Sequence, residues 1–191
     1  SGRGIRIDAT PDVTVSGNRV AGRADGLIQV TGSKQFTATS DGIEFTDPLS
    51  EPLEGTATAV DVRIADNTLG VPGDGQSRWG VYAWEGASRL SVTGNTVVNA
   101  ADTAIEVEGG ANHTITGNSL GSETAPVGAG IKVEDAGDSA IGTVASPNTI
   151  WSQDTGIKVE GGTATPTVSG NGIHLVGTAP SPGISLSGTS V

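Results

Sequence analysis

The chain has 191 residues, of which 16% are charged and 3% aromatic, with 30 glycines and a formal net charge of −11. That length fits one domain, and the acidity excludes nucleic acid as a partner, because phosphate binding needs clustered Lys and Arg. With no Cys there is neither a disulfide framework nor a thiolate metal site, and no apolar run approaches the ~20 residues of a membrane span.

The glycines do not recur every third residue, as collagen would require. Val and Ile return at regular positions, which a disordered chain does not show. Small residues with evenly spaced β-branched ones predict many short strands joined by tight turns. The absence of Met and the Ser-Gly start suggest a processed or excised piece.

The first predicted strand is GIRID, starting at residue 4. Its copies are LIQVT at 27, GIEFT at 42, GVYAW at 80, AIEVE at 104, GIKVE at 130 and again at 156, and GISLS at 183. From 80 onward the starts are evenly spaced; before that they are not, and an irregular insertion lies within 32–79. A second motif trails each start: VTVSGNRV at 13, VRIADNTL at 62, LSVTGNTV at 90, HTITGNSL at 113, a degenerate TVASPNTI at 143 and PTVSGNGI at 166. A period of roughly 25 residues with strand patterning predicts a solenoid, one coil per repeat. The second motif reads as strand, turn, strand, with Gly supplying the positive φ of the corner. Asn recurs at 18, 67, 95, 118, 148 and 171; stacked coil on coil, these amides form a ladder.

Alternation along each strand sorts its residues into columns. Ile5, Ile43, Val81, Ile105, Ile131 and Ile157 form one inward column. Ile7, Phe45, Ala83, Val107, Val133 and Val159 form the next. Arg6, Glu44, Tyr82, Glu106, Lys132, Lys158 and Ser185 point outward, as do Asp8, Thr46, Trp84, Glu108, Glu134, Glu160 and Ser187.

The string GIKVEGGTATPTVSGNGI, 156–173, resembles the parallel β-helix repeats of the pectate-lyase-like superfamily. The resemblance covers nearly the whole chain and is weakest from 32 to 60. It implies an all-β, right-handed, single-stranded parallel β-helix with three sheets, and ligands lying along a long face of the rod. Right-handedness agrees with the general rule for parallel connections. About seven or eight coils at ~4.8 Å spacing give a rod roughly 35 Å long. The chain reads as a single domain over 1–191. It starts and stops near a coil strand with no capping helix in sight, which predicts a piece of a longer polypeptide or a homo-oligomer that covers the ends.

Sugar polymers suit such a face, because their own repeat can span successive coils. Tyr82 and Trp84, with Arg78 beside them and Glu160 farther along the strip, are the expected substrate-binding residues; an exposed aromatic is a platform for a sugar ring. Glu106, Lys132, Glu134 and Lys158 are the residue types that acid–base work on a glycan requires. Glu108, Glu134 and Glu160 stack one coil apart and repel. The long side chains splay apart on a solvated face with Lys compensation, or diagonal pairing with Lys132 and Lys158 offsets the repulsion, or else a Ca²⁺ ion does, which favours several hard oxygen ligands; no other cofactor is expected. His113 and His174 read as surface or turn residues. The NTD, DD, GHG and RIK motifs of polygalacturonases are missing, as is the DPHE tetrad of mannuronan epimerases, so the sequence does not decide between a lyase, hydrolase or epimerase and a non-catalytic protein. The expectation is an extracellular or cell- or virion-surface β-helix that binds or processes polysaccharide. The alternative is an adhesin, phage-spike-like segment or structural spacer.

Overall fold

The computed structural model describes residues 4–8, 10–21, 26–31, 37–39, 42–44, 60–71, 76–84, 87–162, 166–177 and 181–188. The chain winds as a parallel β-helix. Its first coil carries β1 (Ile5–Asp8), β2 (Thr14–Ser16) and β3 (Arg19–Val20). The second carries β4 (Gly26–Thr31), then a hairpin of β5 (Thr37–Thr39) and β6 (Gly42–Glu44), then β7 (Arg63–Ala65) and β8 (Thr68–Leu69). The third holds β9 (Ser77–Trp84), β10 (Ser91–Thr93) and β11 (Thr96–Val97). The fourth holds β12 (Ala100–Glu108), β13 (His113–Thr116) and β14 (Ser119–Leu120). β15 (Ala129–Glu134), β16 (Ser139–Ile141) and β17 (Thr149–Ser152) make the fifth. β18 (Ile157–Glu160), β19 (Thr167–Val168) and β20 (Gly172–Leu175) make the sixth, and β21 (Ile184–Ser187) opens a seventh. The described residues thus form six full coils and one further strand, slightly fewer than the seven or eight expected. Among them no helix is long and apolar enough to cross a membrane.

The strands stack into three parallel sheets. The first runs β1-β4-β9-β12-β15-β18-β21, the second β2-β7-β10-β13-β16-β19 and the third β3-β8-β11-β14-β17-β20. The register matches the alternation: Val81, Ile105, Ile131 and Ile157 stand in one file, and Ala83, Val107, Val133 and Val159 in the next. These eight side chains are buried, and with Ile64, Val92, Ile115 and Ile141 of the second sheet and Leu69, Val97, Leu120 and Ile150 of the third they fill the core.

One rung differs from expectation. Ile28, not Ile43, stands between Ile5 and Val81, and Gln29, not Glu44, occupies the outward position between Arg6 and Tyr82. Residues 42–44 pair antiparallel with 37–39 in a separate hairpin. Phe45 and Thr46 lie outside the described residues; Val30 and Thr31 hold the next two positions of that rung. GIEFT copies the repeat locally, but its start at 42 follows LIQVT at 27 too closely for the chain to have travelled round three sheets.

The Asn ladder is complete. From Asn18 through Asn67, Asn95, Asn118 and Asn148 to Asn171, each Nδ2 donates to the next Oδ1 at 2.9–3.1 Å. The corner before it takes positive φ at Gly17 (67°) and Gly94 (66°), and Asp66 adopts the same conformation at 56°; Asp is among the few other residues that tolerate it.

Candidate functional site

β9 crosses the first sheet over eight residues, and its sequence SRWGVYAW carries three of the six aromatic residues. Trp79 and Tyr82 stack with centroids 4.4 Å apart and planes 8° off parallel, and Trp84 continues the row 6.3 Å from Tyr82. The Arg78 guanidinium lies 4.1 Å over the Trp79 ring. Tyr82 is therefore not the open platform its outward position suggested: it is 8% exposed, with Trp79 and Trp84 stacked on it. Trp84 is half-buried. The packing of Trp79 is explained by Glu106 on the neighbouring strand, whose carboxylate accepts from the indole Nε1 at 2.6 Å.

Glu106 is 5% exposed, and a carboxylate so deep needs partners. Lys132, directly opposite it on β15, supplies the second: Nζ stands 3.0 Å from Glu106 Oε1 and 2.5 Å from Glu134 Oε2. Burial works to lower the Lys132 pKa, but the bonds to Glu134 and Glu106 outweigh it and hold the ammonium above its ordinary value. One rung on, Lys158 Nζ lies 2.9 Å from Glu160 Oε1. The lysines thus offset the stacked carboxylates as expected, but along their own strands and straight across rather than diagonally.

Glu108, Glu134 and Glu160 do stand in register. The three carboxylates whose oxygens converge within 4.8 Å are instead Glu106, Glu108 and Glu134, because Glu160 is drawn to Lys158. Burial, followed by the charge of Glu106, pushes the Glu108 carboxyl up from its ordinary range, partly countered by a hydrogen bond from Tyr82. Burial and then the charges of Glu108 and Glu106 raise the Tyr82 phenol strongly.

Two depressions flank this strip. A 240 Å³ hollow is lined by Trp84, Glu108, Gly109, Glu134 and Asp135. A 560 Å³ groove runs over four successive strands, from Arg78 and Trp79 on β9, past Asp102 and Glu106 on β12 and Lys132 on β15, to Lys158 on β18. Gln153 and Asp154, in the loop before β18, complete its wall. The structure therefore gathers Arg78, Glu106, Lys132 and Lys158 at the groove and Trp84, Glu108 and Glu134 at the hollow. Glu160 lines neither. Asp102, near the start of β12, and Gln153 and Asp154, in the loop before β18, had no signal in the repeat, because they fall between aligned motifs.

The histidines do not join this site. His113, read as a surface residue, is 1% exposed: it fills the column occupied by Leu90 one coil earlier, donating Nε2–H to the Gly109 carbonyl at 3.1 Å. His174 is exposed and stacks on Trp151 at 4.1 Å. They belong to different sheets.

A family model described as "Periplasmic copper-binding protein (NosD)" matches residues 1–172. No curated protein and no solved structure matches the chain. The chain has no Cys and no Met, copper favours thiolate, thioether and imidazole donors, and its two histidines stand apart; the residues present do not fit a copper centre. The converging carboxylates are hard donors, and two of the three, Glu106 and Glu134, are already bridged by the Lys132 ammonium. A periplasmic description agrees at a coarse level with the extracellular or surface location expected from the sequence, and with 172 of 191 residues matched the chain belongs to the NosD family of right-handed, pectate-lyase-like parallel β-helices.

Proposed function

We propose that this protein is an envelope β-helix that binds polysaccharide along the outer face of its first sheet. The observation that carries this reading is the 560 Å³ groove laid across four stacked strands. Rungs repeat at ~4.8 Å, so polar groups recur along the groove at an interval that an extended, hydroxyl-rich polymer can follow. Trp79, itself 8% exposed beneath the Arg78 guanidinium, lends the groove only an apolar edge, and its indole N–H is held by Glu106, so that edge is fixed before ligand arrives. Preorganisation of this kind reduces the ordering cost of binding. A structural spacer has no need of such a groove. Ca²⁺ is not part of this reading, since the Lys132 ammonium stands where a cation would bridge Glu106 and Glu134.

Calorimetric titration with a panel of oligosaccharides tests the proposal. At least one member binds, and Lys158→Ala together with Gln153→Ala weakens it roughly tenfold or more. Lack of binding across the panel overturns the reading. One feature favours a second activity, glycan processing: burial and the charge of Glu106 push the Glu108 carboxyl up from its ordinary range, the direction a general acid needs. Release of reducing ends that Glu108→Gln abolishes, with binding retained, is its signature.

A further inference from the structure

We infer that the groove selects uncharged glycans and rejects uronate-bearing ones, a conclusion that rests on the polysaccharide reading and specifies its substrate class. The cations lining the groove are Arg78, Lys132 and Lys158; the anions lining it are Asp102, Glu106 and Asp154, three against three. Every one of those cations is already closed onto a carboxylate. Arg78 Nε meets Asp102 at 2.5 Å, Lys132 meets Glu106 at 3.0 Å and Glu134 at 2.5 Å, and Lys158 meets Glu160 at 2.9 Å. Glu134 and Glu160 sit just beyond the groove, so the wider strip is net negative, as is the chain at −11.

A ligand carboxylate entering here has to break one of these pairs or lie among unneutralised oxygens. Breaking the Lys132 pair is the worst choice, because it strands Glu106, 5% exposed, as a buried charge. A sugar hydroxyl asks for neither. It both donates and accepts, so it can use the lone pairs that the paired carboxylates leave over and share the ammonium donors of the lysines, without separating any ion pair. Like-charge contact is a device of rejection as much as attraction is one of binding.

The experiment compares oligogalacturonate with its fully methyl-esterified form, which has the same backbone without the charge, alongside other neutral and uronate oligosaccharides, all titrated into the full chain by calorimetry. Neutral members bind, and each acidic counterpart binds at least about tenfold more weakly, with the gap narrowing at high ionic strength. Asp102→Asn, which removes the carboxylate charge paired with Arg78, brings the acidic form several-fold closer to the neutral one. Acidic binding equal to or tighter than neutral binding overturns the selectivity while leaving the polysaccharide reading intact. Neutral preference that Asp102→Asn does not reduce overturns the paired-cation cause. Failure of every oligosaccharide, neutral and acidic, overturns the polysaccharide reading itself and this inference with it.

Discussion

Asn118 shows what a single side chain does at the corner of each coil. Its Oδ1 accepts from the backbone N and the Nδ2 of Asn95 at 2.9 and 3.1 Å, and its own Nδ2 donates to Asn148 Oδ1 and Val92 O, both at 2.9 Å. Each coil's corner is thus tied to the next by an amide that water cannot reach. Asn118→Ala leaves the buried Asn95 N–H without an acceptor and removes these bonds, and costs about 2–4 kcal/mol. Asn171 closes the row in a half-exposed position, where water can replace it, so Asn171→Ala costs about 1 kcal/mol. Urea unfolding of both variants checks this, and equal losses would refute the account. His113 gives a pH signature at the same scale. Burial lowers its pKa below the ordinary 6.5, and its Nδ1 has no hydrogen-bond partner among the described residues. The unfolded chain therefore takes up a proton at pH values where the fold does not. Stability falls as pH drops below about 6.5 towards the depressed folded value. His113→Leu, matching Leu90 in its column, flattens this part of the profile relative to the parent; parallel profiles would show that His113 is not its source.

At the scale of the strand, the repeat G-I-x-V owes its first residue to space. A Cβ on Gly130 would lie 2.4 Å from Ile150 Cγ2, and one on Gly156 would lie 2.4 Å from Ile173 Cγ2. The third sheet's branched side chains press on the backbone of the first at these rungs, which is why Gly or Ala opens every copy except LIQVT, where Leu27 holds the position. The outward pattern E-x-E over K-x-E is likewise a set of neighbours rather than a decoration. Lys132→Met deprives a nearly buried Glu106 of its counter-charge and costs about 2–3 kcal/mol, between the values for exposed and buried pairs. Lys158→Met removes a pair whose side chains are 38% and 30% exposed, and costs no more than about 1 kcal/mol. Thermal unfolding of the two variants reads the difference, and similar shifts would mean that Glu106 is not held by Lys132. This strip was only partly legible in the sequence. Alternation correctly placed Glu106, Lys132 and Lys158 in one file, because the pleat alone sets the face. It could not place Trp79 flat on Tyr82 or aim its N–H at Glu106, because rotamers follow from tertiary contacts. His113 was open to inspection: HTITGN aligns with LSVTGN, and Leu stands where His does. The false rung at Ile43 was open to it as well, since the short step from LIQVT to GIEFT contradicts the coil length even where the string agrees.

For the molecule as a whole, a solenoid has no centre to which distant parts contribute; each coil gains its burial from the coil on either side. The exposure of the first sheet's inward file follows this rule. Ile105, Ile131 and Ile157 are all 0% exposed, while Ile184 on β21, with the same register and chemistry, is 48% exposed and Leu186 beside it 55%. The same hydrophobic residue is therefore worth different amounts at different heights along the rod. Ile131→Ala removes a fully packed side chain and costs about 3–4 kcal/mol, whereas Ile184→Ala stays within about 0.5–1 kcal/mol. Hydrogen exchange carries the same gradient, because local opening needs only the contacts of the coil that opens. Amides of β12 and β15 exchange slowest and those of β21 fastest. Binding of a glycan along the groove, which spans β9 to β18, slows exchange in those coils and leaves β21 unchanged. Uniform protection along the rod, or equal losses for Ile131→Ala and Ile184→Ala, would mean that the chain behaves as one cooperative block and that the coil is not its energetic unit.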